Sequence, residues 1–267
     1  MTRLIHLTDL HFGLHRPELV APLRQAILSN NPDLIVVSGD LTQRALRAQF
    51  REGMSFVRSL GVPFLMVPGN HDLPVYNPVA RLFNPFGAYR TGAMRDLTPT
   101  LQIGHLRLFG ANTADPFSWR GGVTRRAEID NICRLLNDGG SDVTNILVCH
   151  HPLVEPPGFQ RGETRGADAS MTKLAGAGLH VVLSGHLHHW TAGLGILDQS
   201  PCPIFHMQTG TALCSRLGEH DHGFAVMDFA GDGLLVTPWL ANDTTLQFEP
   251  RSRSTFSRRD GRWHLGG

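Results

Sequence analysis

The 267-residue sequence predicts an α/β fold, a two-sheet β-sandwich flanked by helices. Three observations point there. The first third alternates short apolar runs with amphipathic ones. The second half holds strand-like runs with little helix between them. Apolar runs throughout end abruptly in polar clusters. Strand and helix alternating at this spacing make parallel βαβ units, and a β-rich second half supplies another sheet to pack on the first. At this length one large core is expected, so 1–267 reads as a single domain.

In chain order, Arg3 to Thr8 is a short apolar run and Leu19 to Leu28 reads as helix, with Pro32 and Asp33 as punctuation before a strand at Leu34 to Ser38. Ala45 to Leu60 carries a helical stripe (Phe50, Met54, Val57, Leu60), Gly61 stops it, and Pro63 to Val67 is a third strand. Tyr76 to Phe86 reads as a short helix, Leu101 to Ile103 and Leu106 to Phe109 as a hairpin around Gly104, and Arg125 to Leu136 as helix. Strands resume at Asn145 to Cys149 and His180 to Ser184, with Gly176 and Gly178 ending a helix between them. Thr191 to Leu197, Ile204 to Gln208, Phe224 to Phe229 and Leu234 to Trp239 are strand-like. Residues 154–168 are long enough for a lid or a surface loop. Arg251, Arg253, Arg258, Arg259 and Arg262 mark the last stretch, about 247–267, as a solvated basic tail.

Composition excludes several classes. The apolar fraction of 41% and charged fraction of 18% are those of a globular protein. A net charge of +1 provides no global field for nucleic acid or an anionic membrane. Asp9, His6 and His11 interrupt any signal-peptide core, and no run reaches the ~18 apolar residues of a membrane span. Cys133, Cys149, Cys202 and Cys214 form no C-x-x-C pair and are expected as free thiols, so a cytoplasmic setting is expected. Lys173 is the only lysine. Phosphate-binding G-x-x-x-x-G-K-[ST] loops, G-x-S-x-G elbows and H-E-x-x-H helices are missing.

Five strand ends deliver five clusters: Asp9-Leu10-His11, Gly39-Asp40, Gly69-Asn70-His71-Asp72, Cys149-His150-His151-Pro152 and Gly185-His186-Leu187-His188. Ligands of parallel sheets gather at carboxyl strand ends. Oxygen and imidazole donors in this mixture suit Zn, Mn or Fe rather than Ca or a thiolate-bound metal. Asp9 and His11, like His186 and His188, would share one face of a continuing strand. Gly39, Gly69 and Gly185 each precede a candidate ligand, where a sharp turn or close backbone approach is needed. Asp72 is placed either to orient a neighbour or to cap a turn. A lone histidine is usually a core or surface group, and His6, His15, His105, His180, His206, His220, His222 and His264 are read that way. The order and completeness of the five clusters set the others apart.

In that order, D-x-H, G-D, G-N-H-D, H-H-P and G-H-x-H resemble the motifs of the calcineurin-like metallophosphoesterase superfamily, over Asp9 to His188. The resemblance implies a two-sheet sandwich with two metal ions at its strand ends. Asp9, His11, Asp40 and His188 would hold one ion. Asp40, Asn70, His150 and His186 would hold the other, with Asp40 bridging. His71 matches the catalytic histidine, which is not a ligand. Two first-row ions about 3.5–4 Å apart can deprotonate a shared water and clamp phosphoryl oxygens. His71 as imidazolium could stabilise the transition state or protonate the leaving alkoxide.

The substrate implied is a small phosphate ester. G-D-L-T, G-N-H-D and G-H-x-H look most like the bacterial cyclic-nucleotide and glycerophosphodiester phosphodiesterases, although Gln43 departs from the acidic residue expected in the cyclic-nucleotide branch. Protein phosphatases of the superfamily carry an arginine pair for a monoester dianion. Here only Arg44 stands at a matching offset, and the remaining polar groups, Thr42 or His151, are neutral. A diester is therefore expected, with Arg44 and His151 as substrate contacts. Phosphomonoester or nucleotide-lipid pyrophosphate hydrolysis at the same site are the alternatives, nucleic acid is a poor fit, and a non-catalytic scaffold is the reading from another class.

Overall fold

Alternation along the first strand sets the layering. Leu4 enters an apolar cluster shared between two sheets, whereas Ile5 and Leu7 enter one shared with helices. The computed structural model describes residues 1–138, 140, 142–154, 164–197, 200–216, 218 and 220–266. The chain runs β1 (Thr2–Leu7), α1 (Pro17–Ser29), β2 (Leu34–Val37), α2 (Arg47–Ser59), β3 (Phe64–Met66), α3 (Pro78–Phe83), α4 (Gly87–Gly92), β4 (Thr100–Ile103), β5 (Leu106–Gly110) and α5 (Arg126–Asn137). It continues with β6 (Thr144–Val148), α6 (Ala167–Gly176), β7 (Val181–Ser184), β8 (Thr191–Leu197), β9 (Ser200–Gln208), β10 (Gly223–Ala230), β11 (Gly233–Ala241), β12 (Phe248–Pro250), β13 (Ser254–Arg259) and β14 (Arg262–Leu265).

Among the described residues these strands make two sheets, one ordered β14-β13-β11-β10-β1-β2-β3 with β12 on β11, the other β4-β5-β6-β7-β9-β8. The first three strands pair parallel, Leu4 with Leu34 and Ile35 with Phe64, as the strand–helix alternation predicts. β5, β6, β7 and β9 are likewise parallel. Leu4, Val36 and Leu65 of one sheet meet Leu108, Ile146 and Leu183 of the other in the sandwich core. On the outer faces, Leu23, Phe50 and Val57 from α1 and α2 cover the first sheet, and Ile132, Leu136 and Leu174 from α5 and α6 cover the second. The chain is therefore a two-sheet sandwich flanked by helices. Cys133 and Cys149 are free thiols, and burial pushes Cys149 up to about 12.

Two expectations need correction. The helix expected over Tyr76 to Phe86 is shorter, α3 alone, and a second short helix, α4, follows at Gly87–Gly92. Asn77 starts α3 by accepting from the Ala80 N–H at 2.9 Å, and Pro85 forces Asn84 out of helical geometry (φ −149) before α4 begins. The basic tail, about 247–267, is instead three strands of the first sheet. Its arginines concealed a period-two pattern in which Phe256 and Trp263 point into the sandwich core. Asp260 (φ 51) and Gly261 (φ 71) between Arg259 and Arg262 form the two-residue turn that joins β13 to β14. Of the lid over 154–168, residues 155–163 lie outside the described ones. The residues after it are anchored, with Arg165 on Asp115 at 2.5 Å and Thr124 N–H donating to the Arg165 carbonyl.

Trp263 closes the far edge of the core at 1% exposure, its Nε1 donating to the His180 carbonyl at 2.8 Å. Trp263→Ala should therefore destabilise the fold by about 3–5 kcal/mol, the usual cost of truncating a buried aromatic. Urea denaturation should show a lower midpoint. A change below about 1 kcal/mol would mean that the C-terminal hairpin is not part of the cooperative unit.

Candidate metal centre

The five clusters sit at the carboxyl ends of β1, β2, β3, β6 and β7, but not on continuing strands. β1 stops at Leu7 and β7 at Ser184. Beyond them Asp9 (φ 52), His11 (φ 49), Asp40 (φ 51), His186 (φ 73) and His188 (φ 53) all adopt left-handed backbone. That conformation costs an L-residue roughly 1–2 kcal/mol and collects at functional sites. Hydrogen bonds offset it. Asp9 N–H donates to the Gly39 carbonyl at 3.1 Å and His11 N–H to that of Asp40 at 3.0 Å. Gly39 (φ +97) has no alternative, since a Cβ there would meet His150 Nδ1 at 2.5 Å. A Cβ on Gly69 would collide with the Asp40 carboxylate.

The loops bring together all seven expected ligands. His188 Nε2 lies 3.0 Å from Asp9 Oδ1 and 3.3 Å from His11 Nε2. Asp40 Oδ2 lies 3.7 Å from His11 Nε2 and 3.4 Å from His150 Nε2. Asn70 Oδ1 is 3.1 Å from His150 Nε2. The ligating atoms of His150 and His186, with those of His151, fall within 4.8 Å of one another, as do those of Asp9, His11 and His188. Asp9, His11 and His150 are fully buried and Asp40 nearly so.

Protonation states follow from the geometry. His150 Nδ1 donates to the Ser38 carbonyl at 2.9 Å, which turns the Nε2 lone pair toward the Asp40 carboxylate. Two acceptors face each other there and need a cation between them, a proton or a metal ion. Burial opposes a charge on His150, yet the Asp40 carboxylate raises it to about 9. Burial takes the other imidazoles down, His11 to about 4 and His186 to about 3. Burial works against ionised Asp9 as well, but His188 and His11 hold it well below the usual carboxylate range. His186 Nε2 is buried with no hydrogen-bond partner among the described residues. Neutral imidazoles beside ionised carboxylates are the forms that ligate metal, so the donor set fits transition-metal ions.

Supporting groups hold the donors in place. The Asn70 amide donates to the Trp119 carbonyl at 3.1 Å, leaving Oδ1 to face the cluster. Asp72 accepts from Thr42 N–H and Thr42 Oγ1, each at 2.9 Å, from Gly69 N–H at 3.1 Å and from Leu41 N–H at 3.3 Å. It thus ties the Asp40 loop to the Asn70 loop, and is an orienting residue as well as a turn brace. Burial and then Asp40 push its carboxyl up to about 7. His71 sits beside the cluster, its backbone N–H on Asp40 Oδ1 at 2.8 Å.

A pocket of about 540 Å³ opens over the donors, its further walls Trp119, Arg120 and Arg216. Arg216 was not singled out by sequence reasoning, for it follows no strand-end motif. Arg44 and His151 do not reach this pocket. Arg44 is exposed and stacks on Tyr76 at 4.8 Å, its backbone N–H tied to Gln49. His151 is fully buried beneath Gly122, with Nδ1 3.0 Å from Thr113 Oγ1.

The family model for calcineurin-like phosphoesterases matches residues 2–190. A probable cyclic nucleotide phosphodiesterase of Synechococcus is 28% identical over 76% of this chain and 80% of its own length. A cAMP/cGMP dual specificity phosphodiesterase of Mycobacterium tuberculosis is 30% identical over 65% of this chain and 54% of its own. Among solved structures, the purple acid phosphatase PPD1 of yellow lupin superposes with a TM-score of 0.69 at 15% identity, over 97% of this chain and 54% of that one. This chain thus spans about half the length of the mycobacterial and plant proteins. Among the described residues no helix is long and apolar enough to cross a membrane.

Removing the Asp72 brace leaves buried donors on Leu41, Thr42 and Gly69 unpaired, each at a cost of about 1–3 kcal/mol. Asp72→Ala should lower stability by about 3 kcal/mol or more in urea titration, and loosen metal binding by the purified protein. Unchanged stability would show that the two loops hold their positions without it.

Proposed function

Because the chain belongs to the calcineurin-like phosphoesterase family, we propose that it is a two-metal phosphodiesterase acting on a small diester such as a cyclic nucleotide or a glycerophosphodiester. The observation that carries the metal reading is the meeting of Asp40 Oδ2 and His150 Nε2 at 3.4 Å, with the other His150 nitrogen already bonded to the Ser38 carbonyl. Asp9, His11, Asp40 and His188 would hold one ion, and Asp40, Asn70, His150 and His186 the other. Bound Mn, Fe or Zn would supply Lewis-acid activation of water and neutralise charge on the phosphoryl group.

The remaining work falls to the chain. His71 Nδ1 donates to the Gln43 carbonyl at 2.8 Å, and Arg216 Nη2 donates to His71 Nε2 at 2.8 Å. In this arrangement His71 is neutral and its Nε2 is blocked. A phosphate is a better acceptor for a guanidinium than an imidazole nitrogen. Substrate entry therefore draws Arg216 onto a phosphoryl oxygen and frees Nε2 to face the leaving oxygen. Once protonated from solvent, Nε2 passes that proton to the departing alkoxide and returns to the neutral ring.

The names of the two bacterial relatives support the diester reading. One sequence argument for it does not hold, however. Arg44 faces away, but Arg120 and Arg216 line the pocket. Two guanidinium groups suit a dianion, and this pair favours phosphomonoester hydrolysis as the second reading.

Comparing kcat/KM for bis(p-nitrophenyl) phosphate and p-nitrophenyl phosphate, with Mn²⁺ at one pH, separates the two readings. The diester should be the better substrate. A monoester preference of about tenfold, roughly 1.4 kcal/mol in transition-state binding, would make the second reading correct. Asp40→Ala tests the bridge, and should lower metal content at both sites and abolish turnover. Two tightly held ions per chain in that variant would overturn the assignment.

A further inference from the structure

The pocket wall beside Asn70 is built unlike the rest of the site. Trp119 leaves 62% of its surface open, although its backbone is fixed. The fixing group is Arg81, a buried arginine whose guanidinium donates to three carbonyls of neighbouring loops. Nε binds Pro116 at 2.8 Å, Nη2 binds Ser118 at 2.7 Å, and Nη1 binds Pro74 at 3.3 Å. The same guanidinium lies over the indole, 4.4 Å from the ring centroid. One face of Trp119 is therefore occupied by a held cation, and much of the ring remains bare where it lines the pocket. Its carbonyl meanwhile grips the Asn70 amide, so the ring stands at a fixed distance from the donor cluster. The other face of the indole is thus open to a flat ligand, on a ring whose backbone and rear face are both held.

We propose that Trp119 is a specificity-determining platform that stacks the base of a nucleotide whose phosphate lies at the donor cluster. This deepens the diester reading and rests on it for the position of the phosphate. It selects between the two substrate classes, because a glycerol diester has no flat face to stack. The pocket, about 540 Å³, is within the range that small-molecule ligands occupy. Arg81 polarises the indole from behind, and a purine offers a π-face of matching area in front.

The test is binding, measured by calorimetry on metal-loaded protein with three monophosphates: adenosine 5′-monophosphate, ribose 5-phosphate and hexyl phosphate. Wild type should bind the nucleotide about 5- to 150-fold more tightly than ribose 5-phosphate, the usual range for one base stacked on an aromatic side chain. That gap should fall to about twofold in Trp119→Ala and largely survive in Trp119→Phe, with circular dichroism confirming that both variants fold. Near-equal binding of nucleotide and ribose phosphate by wild type would overturn the platform. A loss for hexyl phosphate in Trp119→Ala as large as that for the nucleotide would also overturn it, showing a greasy contact rather than a base stack. The diester reading is tested separately by wild-type turnover of bis(p-nitrophenyl) phosphate. Its failure alongside a base-dependent binding gap would leave the platform standing and remove the assigned reaction.

Discussion

Buried acceptors that face one another govern the arrangement of this protein. Asp9, Asp40, Asn70 and the imidazole nitrogens of His11, His150, His186 and His188 converge with too few protons to pair them. Such a meeting of lone pairs and carboxylates is repulsive in a low-dielectric interior unless positive charge enters it. The Asp40 carboxylate accordingly raises the buried His150 imidazole to about 9. Transition-metal ions satisfy that demand for positive charge more completely, since each accepts several lone pairs at once. Five of these residues, Asp9, His11, Asp40, His186 and His188, take left-handed backbone soon after their strands end.

The sandwich makes such a convergence affordable. Asp9, His11, Asp40 and Asn70 come from the first sheet, and His150, His186 and His188 from the second. Neither sheet carries a full set for the two proposed ions. The apolar interface of Leu4, Val36, Ile146 and Leu183 lies directly beneath the ligand loops and fixes the distance between the sheets. Close-packed cores resist changes of even a methylene, so the spacing of the donors inherits that rigidity. Contacts at the rim then tune it: the Gly39 carbonyl, the Ser38 carbonyl and the Thr211 hydroxyl each orient one ligand or its backbone.

Above the donors, three side chains with no part in the metal cluster shape what the proposed reaction would accept. Arg216 links His71 to Gln43, so a single guanidinium bears on both the proposed proton carrier and the proposed phosphate position. Gln43, the residue that departs from an acidic one in the cyclic-nucleotide branch, is neutral here. It therefore accepts from Arg216 without fixing it as a carboxylate would. Trp119 adds an aromatic wall held by Arg81 from behind. Charge for phosphate and a flat apolar face for its substituent thus sit on opposite supports of one pocket.

Much of this was legible in the sequence. Period-two and period-3.6 patterns locate nearly every strand and helix to within a few residues, because burial on one face imposes that period on the chain. The exceptions are instructive. Pro85 ends a helix early that apolar content alone would carry to Phe86, and the Asp260–Gly261 turn marks a hairpin that clustered arginines hid. The five polar clusters could be located because each follows its strand within four residues, and the resemblance of their motifs implied which seven side chains in them would converge. Arg216, Trp119 and Arg120 have no such local signature. They reach the pocket from loops whose paths depend on contacts made far along the chain, such as Arg81 with Pro116 and Ser118, or Arg216 with His71. For the same reason Arg44, at the right offset, turns away to stack on Tyr76. The sequence by itself determined the sandwich, through short-range periodicity, and the polar clusters at its strand ends, through motifs a few residues long. Only the tertiary structure decided which arginines and which aromatic ring attend the site, because side-chain direction in loops is set by partners distant in sequence.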